Sequence, residues 1–176
     1  RDIERTGDIR SYKKDLVDLY VNRDQHSFST QVTDLDNIQN PSIHSLLSSK
    51  YHEAQMHRLN IHAEIPDPVI HNYLTDLDLA VVLGHLMDNA IDGARKASEG
   101  FISLAYFDEE DCQSFIIEST IAEEQVPLSM MSTQLPHPEG GIGVNAVQDI
   151  LERYPNTSFS VRSQNRKMMQ ILEMRP

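Results

Sequence analysis

One helix limits what this chain can become. Thr75-Asp76 reads as a cap, and the apolar period that follows runs over residues 76–98 before Gly100 closes it. Asp88 and Asn89 stand inside it, between Leu83-Gly84-His85-Leu86-Met87 and Ala90-Ile91. His85, Asn89 and Asp92 follow one another at i, i+4 and i+7, so all three emerge on one face. An amide and carboxylates set into an apolar stretch cost free energy unless something partners them. A metal ion bridging to phosphate is one such partner, because Mg²⁺ takes one or two protein oxygens and completes its octahedron with water and phosphate. The competing reading makes these residues the solvent face of an amphipathic helix. The pattern alone leaves the two balanced.

Around this helix the periodicities alternate. Residues 8–38 read as one helix, with Ile9, Tyr12, Leu16, Leu19 and Tyr20 forming an apolar stripe that continues through Phe28, Val32 and Leu35. A single apolar seam on a long helix requires a partner, in the same chain or in a second copy. Asn40-Pro41 breaks it, and Pro41 suits the first turn of a new helix to about Leu59. Ile43, Leu46, Leu47, Tyr51 and Ala54 form the inner face of that helix. Residues 59–65 alternate strictly and predict a strand. Strands at 101–107 and 114–118 flank an acidic turn over 108–111. Residues 119–139 show no period and read as a mobile loop, a helix follows over 144–154, and a hairpin over 157–174 turns at Gln164-Asn165-Arg166. From residue 59 onward this order predicts an α/β sandwich, one mixed sheet with helices on one face.

Charge and cysteine usage remove whole classes of function. Among 176 residues, 15 Lys and Arg face 27 Asp and Glu, a net charge of −12. Such a chain repels phosphate backbones, which argues against general nucleic-acid binding. The single cysteine, Cys112, excludes an intrachain disulfide framework and a cysteine zinc site, as in a reducing cytoplasm. The longest apolar stretch, residues 79–84, is far short of the ~20 residues a bilayer requires.

A second signal precedes the helix at 144. Gly140-Gly141-Ile142-Gly143 permits close backbone approach, and the helix start beyond it offers free N–H groups to an anion. A nucleotide phosphate suits it, and so does a plain tight connection. Taken together, Leu83-Gly84-His85-Leu86-Met87-Asp88-Asn89-Ala90-Ile91-Asp92-Gly93-Ala94 resembles the N box of the GHKL (Bergerat-fold) ATPases, and Gly141-Ile142-Gly143-Val144 resembles their second glycine box. More narrowly, the chain resembles the cytoplasmic end of peptide-pheromone (quorum-sensing) histidine kinases of Gram-positive bacteria, the accessory-gene-regulator and competence type. Ile61-His62-Ala63-Glu64-Ile65-Pro66-Asp67 and Phe115-Ile116-Ile117-Glu118 support this.

The resemblance implies a two-layer α/β sandwich, the Bergerat ATP-binding fold, over residues 41–176, preceded over 1–40 by part of a helical dimerisation hairpin. It implies a protein histidine kinase that uses ATP and Mg²⁺, with a response regulator as partner and a homodimer in the intact protein. It also implies a cytoplasmic fragment that meets the membrane only through a sensor region outside this chain. Asn89 matches the asparagine that coordinates Mg²⁺, and Asp88 and Asp92 match the acidic positions beside it. Glu118 falls where the superfamily places the carboxylate that accepts from the adenine amino group. Gly141 and Gly143 match the turn under the phosphates, and 119–139 the nucleotide lid.

Departures are specific. His85 stands where other GHKL ATPases have a catalytic Glu, Ser119 where the kinase subfamily commonly has Asn, and Glu139 in the first position of the glycine triplet. The phosphoacceptor motif is absent, with Lys14 at its nearest mimic, so the phosphorylated His is expected upstream of residue 1. Three readings follow: a kinase module, a degenerate docking module with little or no ATP turnover, and a hydrolysing ATPase, which His85 disfavours.

Overall fold

The structure is a computed structural model that describes residues 34–124 and 144–176. The chain divides into two compact units, Arg1–Gln31 and Val32–Pro176. The helix expected over 8–38 lies outside the described residues except at its end. There it gives way to a 3-10 turn, Asp34–Asn37, and Ile38 forms a parallel bridge with Val69. Asn37 Nδ2 donates to the Ile65 carbonyl at 2.6 Å, adding a side-chain tie that a continuing helix would lack.

Three α-helices and five strands make up the described part of the second unit: α1 (Pro41–Met56), β1 (Asn60–Glu64), α2 (Asp76–Lys96), β2 (Phe101–Glu109), β3 (Cys112–Thr120), α3 (Val144–Leu151), β4 (Thr157–Gln164) and β5 (Lys167–Met174). Each start has a local cause. The Asn40 carboxamide oxygen accepts from the Ser42 and Ile43 amides at 3.0 and 3.2 Å, with Pro41 opening α1 where no N–H is needed. Thr75 Oγ1 accepts from the Asp78 amide, and Asp76 and Asp78 begin α2 while Arg95 and Lys96 end it, matching the helix dipole.

The strands order as β1-β2-β3-β5-β4. β1 and β2 are parallel, and every other pairing is antiparallel. A parallel pair cannot be joined by a tight turn, so α2 supplies the crossover. The β4–β5 hairpin turns through Asn165 and Arg166, both at positive φ (54° and 60°), the two-residue geometry that matches strand twist. The result is the mixed-sheet α/β sandwich that the order of periodicities predicts.

Its core lies between the sheet and the helices. Ile43, Leu47 and Ala54 of α1, Leu79, Leu83, Leu86 and Ala90 of α2, and Ile102, Leu104, Phe115, Ile117 and Leu172 of the sheet are buried together. Burying each large apolar side chain contributes about 1.5–3 kcal/mol. Tyr106 and Phe115 meet edge to face at 5.3 Å and 89°. Among the described residues no helix is long and apolar enough to cross a membrane.

Candidate functional site

α2 carries two faces. Its buried stripe is Leu79, Val82, Leu83, Leu86, Met87, Ala90, Ile91 and Ala94. His85, Asn89 and Asp92 lie outside that stripe and are half-buried, on the shared face their spacing predicts. Asp92 stands 4.0 Å from Arg95, its neighbour at i+3.

Asp88 turns toward α1. Leu46 Cδ1 comes within 3.8 Å of the point a Cβ on Gly84 would occupy, so the two helices touch there. One turn farther along each, Lys50 Nζ donates to Asp88 Oδ1 at 2.5 Å and to Glu53 Oε2 at 2.8 Å. Burial alone would lower the Lys50 pKa, but the bonds to Asp88 and Glu53 outweigh it and hold the ammonium above its ordinary range. Asp88 therefore ties α2 to α1 beside Asn89. Nothing in the sequence singled out Lys50, because its partner lies on a different element.

The expectation for Glu118 needs correcting. Strand residues alternate faces, and on β3 it is Ser119 that faces α2. Its Oγ lies 3.9 Å from where a Gly93 Cβ would sit. Glu118 points to the opposite face of the sheet, where it is buried and accepts from Lys167 Nζ at 2.8 Å. A one-residue offset on a strand reverses the face, and only the register resolves it.

Ser119 Oγ is fully buried and, among the described residues, is the buried side-chain polar atom with no hydrogen-bond partner. Such an atom costs about 1–3 kcal/mol where it stays unsatisfied. Gly93 follows Asn89 by four positions, so both belong to one face of α2, a turn apart. The orphan hydroxyl thus lies about one helical turn from Asn89. Sequence reading marked Ser119 only as a departure, and its burial is what singles it out here.

A polar cluster fixes α3 at its far end. Tyr154 Oη donates to Asp78 Oδ2 at 2.5 Å, and Arg153 donates to Asp78 Oδ1 at 2.8 Å. The Tyr154 hydroxyl also accepts from the Thr75 amide at 3.3 Å. Asp78 is buried, and the Tyr154 hydrogen bond, followed by those from Thr75 and Arg153, holds its pKa below the usual carboxylate range. Val147 and Ile150 anchor α3 in the core. Gly141 and Gly143, expected under the phosphates, and Glu139 lie outside the described residues.

These residues suit a nucleotide held with Mg²⁺. The described residues contain no group of three or more His, Cys, Asp or Glu side chains able to hold a metal. Mg²⁺ bound through one side-chain oxygen plus phosphate and water needs none, and Asn89 offers that oxygen. The Ser119 hydroxyl behind this face is enclosed and has no hydrogen-bond partner among the described residues.

Comparison with known proteins agrees with this fold. A family model described as a GHKL domain matches residues 74–175. No curated protein matches the sequence. Among solved structures, the catalytic domain of the histidine kinase ThkA superposes with a TM-score of 0.62 at 14% identity, over 77% of this chain and 90% of that one. The mycobacterial sensor histidine kinase MprB gives 0.56 at 11% identity, over 74% and 92%. ThkA in complex with the response regulator protein TrrA gives 0.60 at 14% identity, over 78% and 40%. At these identities the likeness is one of fold.

Proposed function

Since the chain belongs to the GHKL domain family, we propose that it is the ATP-binding catalytic module of a two-component sensor histidine kinase. In this reading the N-box face of α2 binds Mg·ATP. The γ-phosphoryl leaves the β-phosphate and bonds to a histidine nitrogen on a dimerisation helix, expected upstream of this chain, and then passes to an aspartate of a response regulator. The finer assignment is to the peptide-pheromone type, in a homodimer anchored to the membrane by a sensor region outside these residues. The complex of ThkA with TrrA supports the choice of partner class.

One observation carries the reading. Asn89 is half-buried on an otherwise well-packed helix, a turn from a buried hydroxyl that lacks a partner. Bound Mg²⁺ would neutralise charge on the triphosphate. The protein's own work is positioning. Asn89 presents its amide oxygen from a helix whose other side is locked in the core. Lys50 holds the Asp88 carboxylate toward α1, limiting the negative charge that faces the phosphates. The cluster of Asp78, Arg153 and Tyr154 sets the helix that follows the glycine turn. With His rather than Glu at 85, no carboxylate base stands there to activate water, which favours transfer over hydrolysis.

Glu139, in the first position of the glycine triplet, supports a second reading, a degenerate module that docks and dimerises without turnover. Titration calorimetry with a non-hydrolysable ATP analogue, with and without Mg²⁺, separates them. Mg²⁺-dependent binding that Asn89→Ala abolishes, with the fold intact, supports the kinase. No binding at millimolar nucleotide favours docking, and unchanged affinity in Asn89→Ala removes the role given to that residue.

A further inference from the structure

The two edges of the sheet are finished differently. At β1 the strand is short and two carbonyls along it are taken: Tyr51 Oη donates to the Ile61 carbonyl at 3.1 Å, and Asn37 Nδ2 to that of Ile65 at 2.6 Å. Pro66 and Pro68 follow at once. Such devices stop a further strand from adding. At β4 they are missing. The strand runs eight residues in one-to-one register with β5, without proline or bulge, and it ends the strand order. Gln164 and Lys167 flank the two-residue turn and are therefore a hydrogen-bonded pair, so Ser158, Ser160 and Arg162 also bond to β5. Phe159 and Val161 consequently point their N–H and C=O groups away from it. Thr157, outward by the same alternation, spends its amide on the Tyr154 carbonyl at 3.0 Å. Among the described residues no strand flanks this side of β4.

Charge selects what pairs there. Residues 153–176 hold Arg153, Arg162, Arg166, Lys167 and Arg175 against Glu173 alone, a net +4 in a chain of −12. Arg153 is engaged by Asp78 and Lys167 by Glu118. Arg162 on β4 and Arg166 in the turn are exposed, and neither forms an ion pair among the described residues. Pairing β4 with its own copy would bring two such positive hairpins together, and like charges at close range oppose it. We infer that the β4 edge docks an extended, carboxylate-bearing segment of a partner protein, which joins the sheet as a further strand. Main-chain bonds at Phe159 and Val161 supply affinity, and Arg162 and Arg166 select acidic side chains. None of these residues belongs to the α2 face, so the inference stands apart from the nucleotide reading.

The probe is a fluorescent peptide, capped at both ends, that alternates threonine and glutamate, compared with the same peptide carrying lysine for glutamate. Anisotropy with the whole chain reads affinity, and amide hydrogen exchange reads the place of binding. The glutamate peptide should bind, should weaken as salt rises, and should slow exchange at the Phe159 and Val161 amides. The lysine peptide should not bind. Val161→Pro removes an N–H that β5 does not use, a position where an edge strand tolerates proline, and should weaken binding about tenfold or more. Arg162→Glu should weaken it about threefold or more. Thermal unfolding checks both variants, and Arg162→Glu carries the test if the proline variant does not fold. Equal binding of the two peptides, no binding at millimolar peptide, or affinity untouched by either variant in its folded form overturns the inference. A dimer in sedimentation that Val161→Pro abolishes overturns it too, by assigning the edge to a second copy.

Discussion

Tyr154 donates its phenolic proton to Asp78 at 2.5 Å, joining the residue just beyond α3 to the first turn of α2 across 76 positions of sequence. The bond lowers the Asp78 pKa from its ordinary 3.8, with Arg153 and Thr75 adding to it. A depressed carboxylate pKa means that the unfolded chain binds the proton more readily. The stability this confers is complete above the unfolded value and is lost as pH falls through the folded one. Tyr154→Phe should therefore lower the unfolding midpoint at neutral pH and flatten its fall below about pH 4. Thermal melts of both proteins across that range check it. Parallel acid profiles would refute the assignment.

The Lys50–Asp88 tie runs with the opposite sign. Lys50 is held above its ordinary 10.5, so its contribution is present below that pH and disappears as pH rises through the higher folded value. A double-mutant cycle of Lys50→Ala and Asp88→Ala should give a coupling of about 0.5–1 kcal/mol, small because Asp88 is partly exposed. High salt should shrink it. Zero coupling at low salt would show that the contact carries no energy.

Lys167 and Glu118 form the costlier pair to break, because Glu118 is buried. Lys167→Met should destabilise by about 1–3 kcal/mol through the orphaned carboxylate, and adding Glu118→Gln should recover part of the loss. Denaturant titrations measure both. Glu118→Gln should leave nucleotide affinity within about twofold, since its side chain points away from α2.

Gly100 admits no side chain. A Cβ there would lie 2.3 Å from Leu59 Cδ2 and 3.0 Å from the Ala94 carbonyl oxygen. The leucine can swing, but the backbone oxygen cannot, so Gly100→Ala should cost about 1–3 kcal/mol by overpacking. An unchanged denaturation midpoint would contradict this.

Arg58 follows α1 at φ 60°, the left-handed region where helices commonly end on glycine. Its amide donates to the Gln55 carbonyl, and the Leu59 amide to that of Ala54. Arg58→Gly should therefore stabilise, by up to about 1 kcal/mol, by relieving the Cβ clash. A fall in the melting temperature would show that the arginine side chain contributes more than the strain it imposes.

Local order determined much of this protein. The period of three to four in 76–98, the alternation in 59–65, the break at Asn40-Pro41, the cap at Thr75 and the turn at Gln164-Asn165-Arg166 each depend on residues a few positions apart, and each was legible in the chain. Asn89 with His85 and Asp92 on one face follows from helical spacing alone. Tertiary structure decided the rest. Whether Glu118 or Ser119 faces α2 depends on which side of β3 packs against the helices, and a shift of one residue reverses it. The partners Lys50 for Asp88, Lys167 for Glu118 and Tyr154 for Asp78 come from elements that meet only after the sheet assembles. A hydrogen bond or ion pair between distant segments leaves no periodic trace, because neither side chain's local sequence depends on the other.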